Sequence, residues 1–231
     1  MPDPLERTLQ QTRRVLGDVD PVQPIKLLHP LSRGLEGLWL PLPHLTQGTR
    51  LYDLSSHDRH GDFKNKAGID WAVETATPYP VLDFDPDPAP YVDVPDINKT
   101  LNQWTILQWV YFNEWGAQGT SNEWNSTLDT FRGSNGHEIS MEANSDGGDN
   151  FEIKTQDGRV IVKENINQKS QEWLLLGGIY DGSKIKSVFN GQFQNEKSST
   201  NAPANLSGVG NIKIGGRGGK KNVQVDGGFG V

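Results

Sequence analysis

Residues 171–191 read QEWLLLGGIYDGSKIKSVFNG, and this stretch decides the fold. Residues 173–176, WLLL, form an apolar run long enough for a strand and too short for a helix. Asp181-Gly182 and Asn190-Gly191 are hairpin-turn pairs, because both residue types tolerate positive φ. Between the turns, Ile185, Ser187 and Phe189 alternate with Lys184, Lys186 and Val188, which predicts a half-buried strand. Gly177-Gly178, beside the apolar run, predicts a bulge or a close backbone approach.

The whole chain agrees with that reading. Its 231 residues, 34% of them hydrophobic, suit one sizeable all-β domain plus an extension, and Gly 26 with Pro 14 fits many turns. There is no cysteine, which excludes a disulfide framework, a thiolate zinc site and a cysteine nucleophile. A net charge of −7 without a long basic stripe argues against nucleic-acid binding. No apolar segment approaches membrane-spanning length. The opening MPDPLERTLQQTRRVLGD lacks an apolar signal core and reads as no secretion signal, although a trimmed mature protein would look the same.

Residues 1–33 read as a separate arm. Asp3 caps, Pro4 suits the first helical position and Glu6 completes a capping box. Leu5, Leu9, Thr12 and Leu16 then share one helical face, and Gly17 terminates it. A helix this short needs something to pack on. Either it packs on its own β domain or frays, or it docks on a partner subunit. Pro21, Pro24 and Pro30 make an extended linker behind it.

The 171–191 pattern resembles the central hairpin of laminin-G-like, concanavalin-A-like jelly rolls. Three further pieces occur in that family's order: GLEGLW at 34–39, YDLSSHDRHG at 52–61, and LDF at 82–84 followed by YVDVP at 91–95. The HPLSRGL opening at 29–35 is similar to that of lectin-like proteins of bacteriophages. The resemblance implies a two-sheet antiparallel β-sandwich over residues 34–231 with an N-terminal helical arm. It identifies 104–112, WTILQWVYF, as a central strand with Trp109 in the core. The glycines after Asn211 lack the following helix and the Gly-Lys-Ser/Thr ending of a phosphate loop and so read as a turn; this turn resembles one of the family, which is followed by a last strand matched to 225–231. The family's acidic residue in that strand falls at Gly230, which weakens a calcium site. The chain stops inside that strand, so either it continues further or a neighbour completes a sheet edge.

Candidate site residues follow. Asp53 and Asp58, in a polar turn, are either calcium ligands or parts of an Asx-rich turn capped by its own side chains; the second is preferred. His57 and His60 lack the third ligand a zinc site needs. Asp83, Asp85, Asp87 and Asp93 read as a solvated acidic loop among prolines. Residues 113–127 read as a polar loop that presents Trp115 and Trp124, either to a sugar ring or tucked over the sheet edge. Glu138, Glu142 and Glu152 lack the strand motif of the family's glucanases, so catalysis ranks low.

The expectation is a non-enzymatic, lectin-like module without a cofactor, calcium excepted. Its lead setting is a bacteriophage virion, decorating a capsid or tail, assembled through Leu5, Leu9 and Leu16 with subunits of its own or another kind. The alternative is a carbohydrate-binding module, extracellular or at a cell surface, whose partner is a glycan.

Overall fold

The computed structural model describes residues 34–39, 49–73, 80–84, 90–112, 124–131, 137–144, 150–155, 159–165, 172–199, 204–206, 211–215 and 223–226. The arm residues Leu5, Leu9 and Leu16 lie outside them, as does Trp115. The described residues contain no α-helix, only one 3₁₀ turn at Lys66–Gly68, and no helix long and apolar enough to cross a membrane.

The strands are β1 (Arg50–Leu51), β2 (Gly61–Lys64), β3 (Ile69–Val73), β4 (Pro80–Phe84), β5 (Tyr91–Val94), β6 (Thr100–Leu101), β7 (Trp104–Phe112), β8 (Trp124–Phe131) and β9 (His137–Asn144). They continue as β10 (Asn150–Thr155), β11 (Arg159–Asn165), β12 (Trp173–Tyr180), β13 (Lys184–Phe189), β14 (Gln192–Ser198), β15 (Ala204–Asn205), β16 (Ile212–Ile214) and β17 (Val223–Asp226). One sheet orders β1-β2-β5-β16-β8-β9-β10-β11, and the other β14-β13-β12-β7-β17-β4-β3. A two-stranded β15-β6 ladder completes the set. The named strand pairings are antiparallel.

Strand alternation builds the core between the two large sheets. Ile106, Leu174, Leu176, Ile185, Leu82 and Phe84 face inward from the seven-stranded sheet. Val92, Leu128, Ile139, Met141, Phe151 and Ile153 meet them from the eight-stranded sheet. Trp39 is buried where the 34–39 segment bridges to Asp53, and its indole N–H donates to the Arg59 carbonyl at 2.8 Å.

The 171–191 stretch forms two consecutive hairpins, β12–β13 and β13–β14. Asn190 and Gly191 take φ of 48° and 78°, the left-handed pair that a two-residue hairpin turn requires. At the other turn, Asp181 Oδ1 accepts from Lys184 N–H (2.9 Å), Ser183 N–H (3.0 Å) and the Ser183 hydroxyl (2.9 Å). The Lys184 N–H bond, followed by those of Ser183, holds the Asp181 carboxyl far below the usual carboxylate range. Gly177 and Gly178 sit at close approaches within an unbroken ladder. A Cβ on Gly177 would lie 2.3 Å from the Ile106 carbonyl oxygen, and one on Gly178 would lie 2.7 Å from Ile153 Cδ1.

Three strand expectations are corrected. Residues 124–127 belong to β8, not to a loop. The polar segment is paired there by β9, with a register shift between Ser126 and Leu128, and β16 joins the other side of β8 only from Leu128. Asp83 and Asp93 are not one acidic loop; they lie on β4 and β5, in different sheets. The last described strand is β17, at 223–226, and it sits inside its sheet between β7 and β4. Its Val223 and Val225 alternate with Gln224 and Asp226, the sequence pattern of a half-buried strand.

Candidate functional site

The side-chain parity of β7 builds the site. Trp104, Ile106, Gln108 and Val110 point into the sandwich, so Thr105, Leu107, Trp109 and Tyr111 point out. Gln108 is fully buried, and its side-chain amide donates to Thr127 Oγ1 on the opposite sheet. Trp109 is 45% exposed. The expectation that Trp109 belongs to the core is therefore corrected. Both faces of 104–112 are apolar, so composition does not fix parity; the Gln108–Thr127 bond does.

Neighbouring strands extend the outer face. Leu175 on β12 is the register partner of Trp109, and Trp173 is the partner of Tyr111. The Tyr111 and Trp173 rings pack 5.4 Å apart at 48°. The Trp173 indole N–H is buried without a hydrogen-bond partner among the described residues. On the other side of β7, Gln224 pairs with Tyr111 and Asp226 with Trp109. Gln224 in turn pairs with Asp83, and Asp83 with Asp70. One row therefore runs Trp173, Tyr111, Gln224, Asp83, Asp70 across five strands.

The opposite end of the face carries Phe193, 67% exposed on edge strand β14, with Lys186 Nζ 5.9 Å above its ring. Lys184 bonds Glu196 at 2.6 Å, and Lys186 lies 3.5 Å from Asp181. The Glu196 contact raises the Lys184 pKa, and Lys184 lowers that of Glu196. Trp109 and Phe193 are the exposed large hydrophobics among the described residues.

The eight-stranded sheet presents a different outer face. Arg50, Asp62, Asp93, Lys213 and Asp129 stand in consecutive register across β1, β2, β5, β16 and β8. Acid and base largely alternate there, with Arg50 bonded to Asp62 at 3.1 Å and Lys213 Nζ 4.8 Å from the Tyr91 ring centroid. Glu142 and Glu152 are register partners on this sheet, and Glu152 is only 3% exposed. These carboxylates and Trp109 thus belong to different sheets of the sandwich.

Asp53 is a structural hub. Its Oδ1 accepts from the N–H groups of Leu38 (2.9 Å) and Ser55 (2.8 Å). Its Oδ2 accepts from the Ser55 hydroxyl (2.7 Å) and Arg59 N–H (3.1 Å). His60 Nδ1 accepts from the Asp53 N–H at 3.0 Å. Asp58 is exposed, with a left-handed φ of 53°. The Ser55 N–H bond to Asp53 Oδ1 is that of an Asx turn. Trp124 opens β8 opposite Asn144. Sequence reasoning missed Trp109, Tyr111 and Trp173 as site residues. The alternation of Thr105, Leu107, Trp109 and Tyr111 was the available signal.

Comparison with known proteins agrees with this architecture. No curated protein sequence matches the chain. The binding domain of Paraclostridial Mosquitocidal Protein 1 is similar in structure, with a TM-score of 0.61 and 13% identity over 86% of this chain and 49% of that one. Trypanosoma rangeli sialidase gives 0.60 and 14% over 97% of this chain and 35% of its own. The binding domain of Botulinum neurotoxin DC, in complex with rat synaptotagmin II, gives 0.57 and 12% over 86% and 48%. The chain spans about half or less of the length of these structures. At such identities the likeness shows the fold. A family model matches residues 87–228, more than half of the chain and both strands of the β7–β12 pair, and on that match the protein belongs to the concanavalin A-like lectin/glucanases superfamily.

Proposed function

We propose that the protein is a non-catalytic glycan-binding module and that the outer face of the seven-stranded sheet is its binding surface. The observation that carries this is Trp109, 45% exposed in mid-strand and flanked by the packed Tyr111–Trp173 pair. An exposed indole offers an apolar face to a sugar ring, and polar neighbours fix hydroxyl groups. Gln224 and Asp226 occupy register positions beside the aromatics. The Botulinum neurotoxin DC binding domain has also been solved in complex with SialylT, which is consistent with a glycan ligand on this fold. Glu142 and Glu152 belong to the other sheet, so they do not supply acid and base to a sugar held on Trp109. The test is a glycan array followed by calorimetry. Binding that is lost in Trp109→Ala, with the fold retained, supports the reading; binding unchanged in Trp109→Ala contradicts the site.

The setting of the module is a second reading, favoured by the HPLSRGL opening and the leucines at 5, 9 and 16. In it the protein is a bacteriophage virion component, on capsid or tail, that assembles through its arm. Light scattering of the full chain and of a Leu5→Asp, Leu9→Asp, Leu16→Asp variant tests it. An oligomer that the variant abolishes supports the assembly role. A full chain that stays monomeric removes self-assembly.

A further inference from the structure

Building on the glycan-binding reading, we propose that Phe193 is a second sugar platform on the same face, so that the protein takes a stretch of a linear oligosaccharide rather than a single terminal sugar. Register places Phe193 there. It is the partner of Val188, Val188 is the partner of Gly177, and Gly177 is the partner of Leu107, which shares its face of β7 with Trp109. A register shift between Lys186 and Val188 makes this so. Glu196 pairs with Lys186, and continuing that register without the shift would set Phe193 opposite Phe189, whose side chain packs against the core. A one-residue slip sends a side chain to the other face of a sheet, and here it turns a phenylalanine outward, to 67% exposure. The Ser187 hydroxyl holds the bulge, accepting from the Asn195 N–H at 3.1 Å.

The surface between the two rings sets the class. Trp109 and Phe193 are three strands apart, β7 to β12 to β13 to β14, and one two-residue step along the strand. That separates them by about 16 Å. A single pyranose ring does not bridge that span; several linked sugars do. The strip between is low and apolar: Leu107 and Leu175 are half-buried, Val188 is buried and Gly177 has no side chain. Lys186 Nζ steadies the Phe193 ring without covering it. Two aromatic faces joined by such a strip suit a ligand that offers several sugar faces in line.

The experiment is calorimetry on the full chain with gluco-, xylo-, manno- and galacto-oligosaccharides, each as disaccharide and hexasaccharide. Wild type is expected to bind the hexasaccharide of at least one series roughly tenfold more tightly than its disaccharide, the scale of one added stacking contact. Phe193→Ala is expected to remove that advantage by lowering hexasaccharide affinity, and to leave disaccharide binding as it was. Phe193→Trp is expected to keep the advantage. Trp109→Ala is run beside them and reports on the first platform. A length advantage that survives Phe193→Ala, while Trp109→Ala abolishes binding, overturns the second platform and leaves the first standing. Wild type that binds both lengths equally overturns the second platform as well. Binding unchanged in Trp109→Ala, or no binding in any series, overturns both.

Discussion

Gln108 of β7 donates its side-chain amide to Thr127 Oγ1 of β8, joining the two sheets through the middle of the core. Thr127 Oγ1 passes the bond on to the Met141 carbonyl at 3.2 Å. A buried amide without such a partner would cost about 1–3 kcal/mol. The bond therefore stabilises the parity in which Gln108 faces in and Trp109 faces out. Gln108→Ala or Thr127→Val alone is expected to destabilise by about 1–3 kcal/mol, while Gln108→Leu with Thr127→Val comes close to neutral, because both polar partners leave together. Urea denaturation of the two singles and the double checks this. Additive losses would mean the two groups are not coupled.

Gly177 has no room for a methyl group, since a Cβ there meets the Ile106 carbonyl oxygen at 2.3 Å and Leu107 Cδ2 at 2.7 Å. The first contact is with backbone and cannot be relieved by a rotamer change. Gly177→Ala is expected to lower stability by about 1–3 kcal/mol. Gly191→Ala meets nothing within 4 Å but is held at φ 78°, so its cost comes from backbone strain of about 1 kcal/mol. Thermal unfolding of the pair separates packing from conformation.

Asp181 makes the β12–β13 turn sensitive to pH. Its folded carboxyl titrates well below the ordinary value because Lys184 N–H and Ser183 bond the charged form. A depressed folded pKa gives stabilisation that is complete above the unfolded value, about 3.9, and drains away as pH falls toward the folded value. Wild type is expected to exceed Asp181→Asn in stability at neutral pH, and the gap should narrow below about pH 4. Denaturation midpoints measured across that range test it. A gap that stays constant would assign the difference to something other than this carboxylate.

Asp53 satisfies four donors, two on each oxygen. Asp53→Ala is expected to cost about 2–4 kcal/mol, since it strips buried N–H groups of their acceptor. With both oxygens engaged, calcium is expected to leave the melting temperature unchanged relative to a chelator. A calcium-dependent rise that Asp53→Asn removes would revive the metal reading.

The hairpins, the strand at 104–112 and the sandwich class were legible because turn pairs and period-2 patterning are local signals. The binding face was not. Residues 104–112 are largely apolar in both registers, and the amide of Gln108 suggests the wrong surface until its partner Thr127 on a distant strand is known. β14 was not named because QFQNEKS is exposed along its length and carries one apolar residue, Phe193, so it shows no period-2 apolar pattern. The row from Trp173 to Asp70 joins residues from five strands, and register between distant strands is not written in any one segment.

The most direct measurement of the binding face is an NMR titration of the full chain, following the indole N–H signals of its seven tryptophans as a neutral oligosaccharide is added. Trp109→Phe and Trp173→Phe assign the two signals of interest. The expected result is that the Trp109 and Trp173 indoles shift saturably while those of Trp39 and Trp104, buried in the core, stay in place. Saturable shifts confined to Trp115 or Trp124, with Trp109 unmoved, would contradict the assignment of the outer face of the seven-stranded sheet.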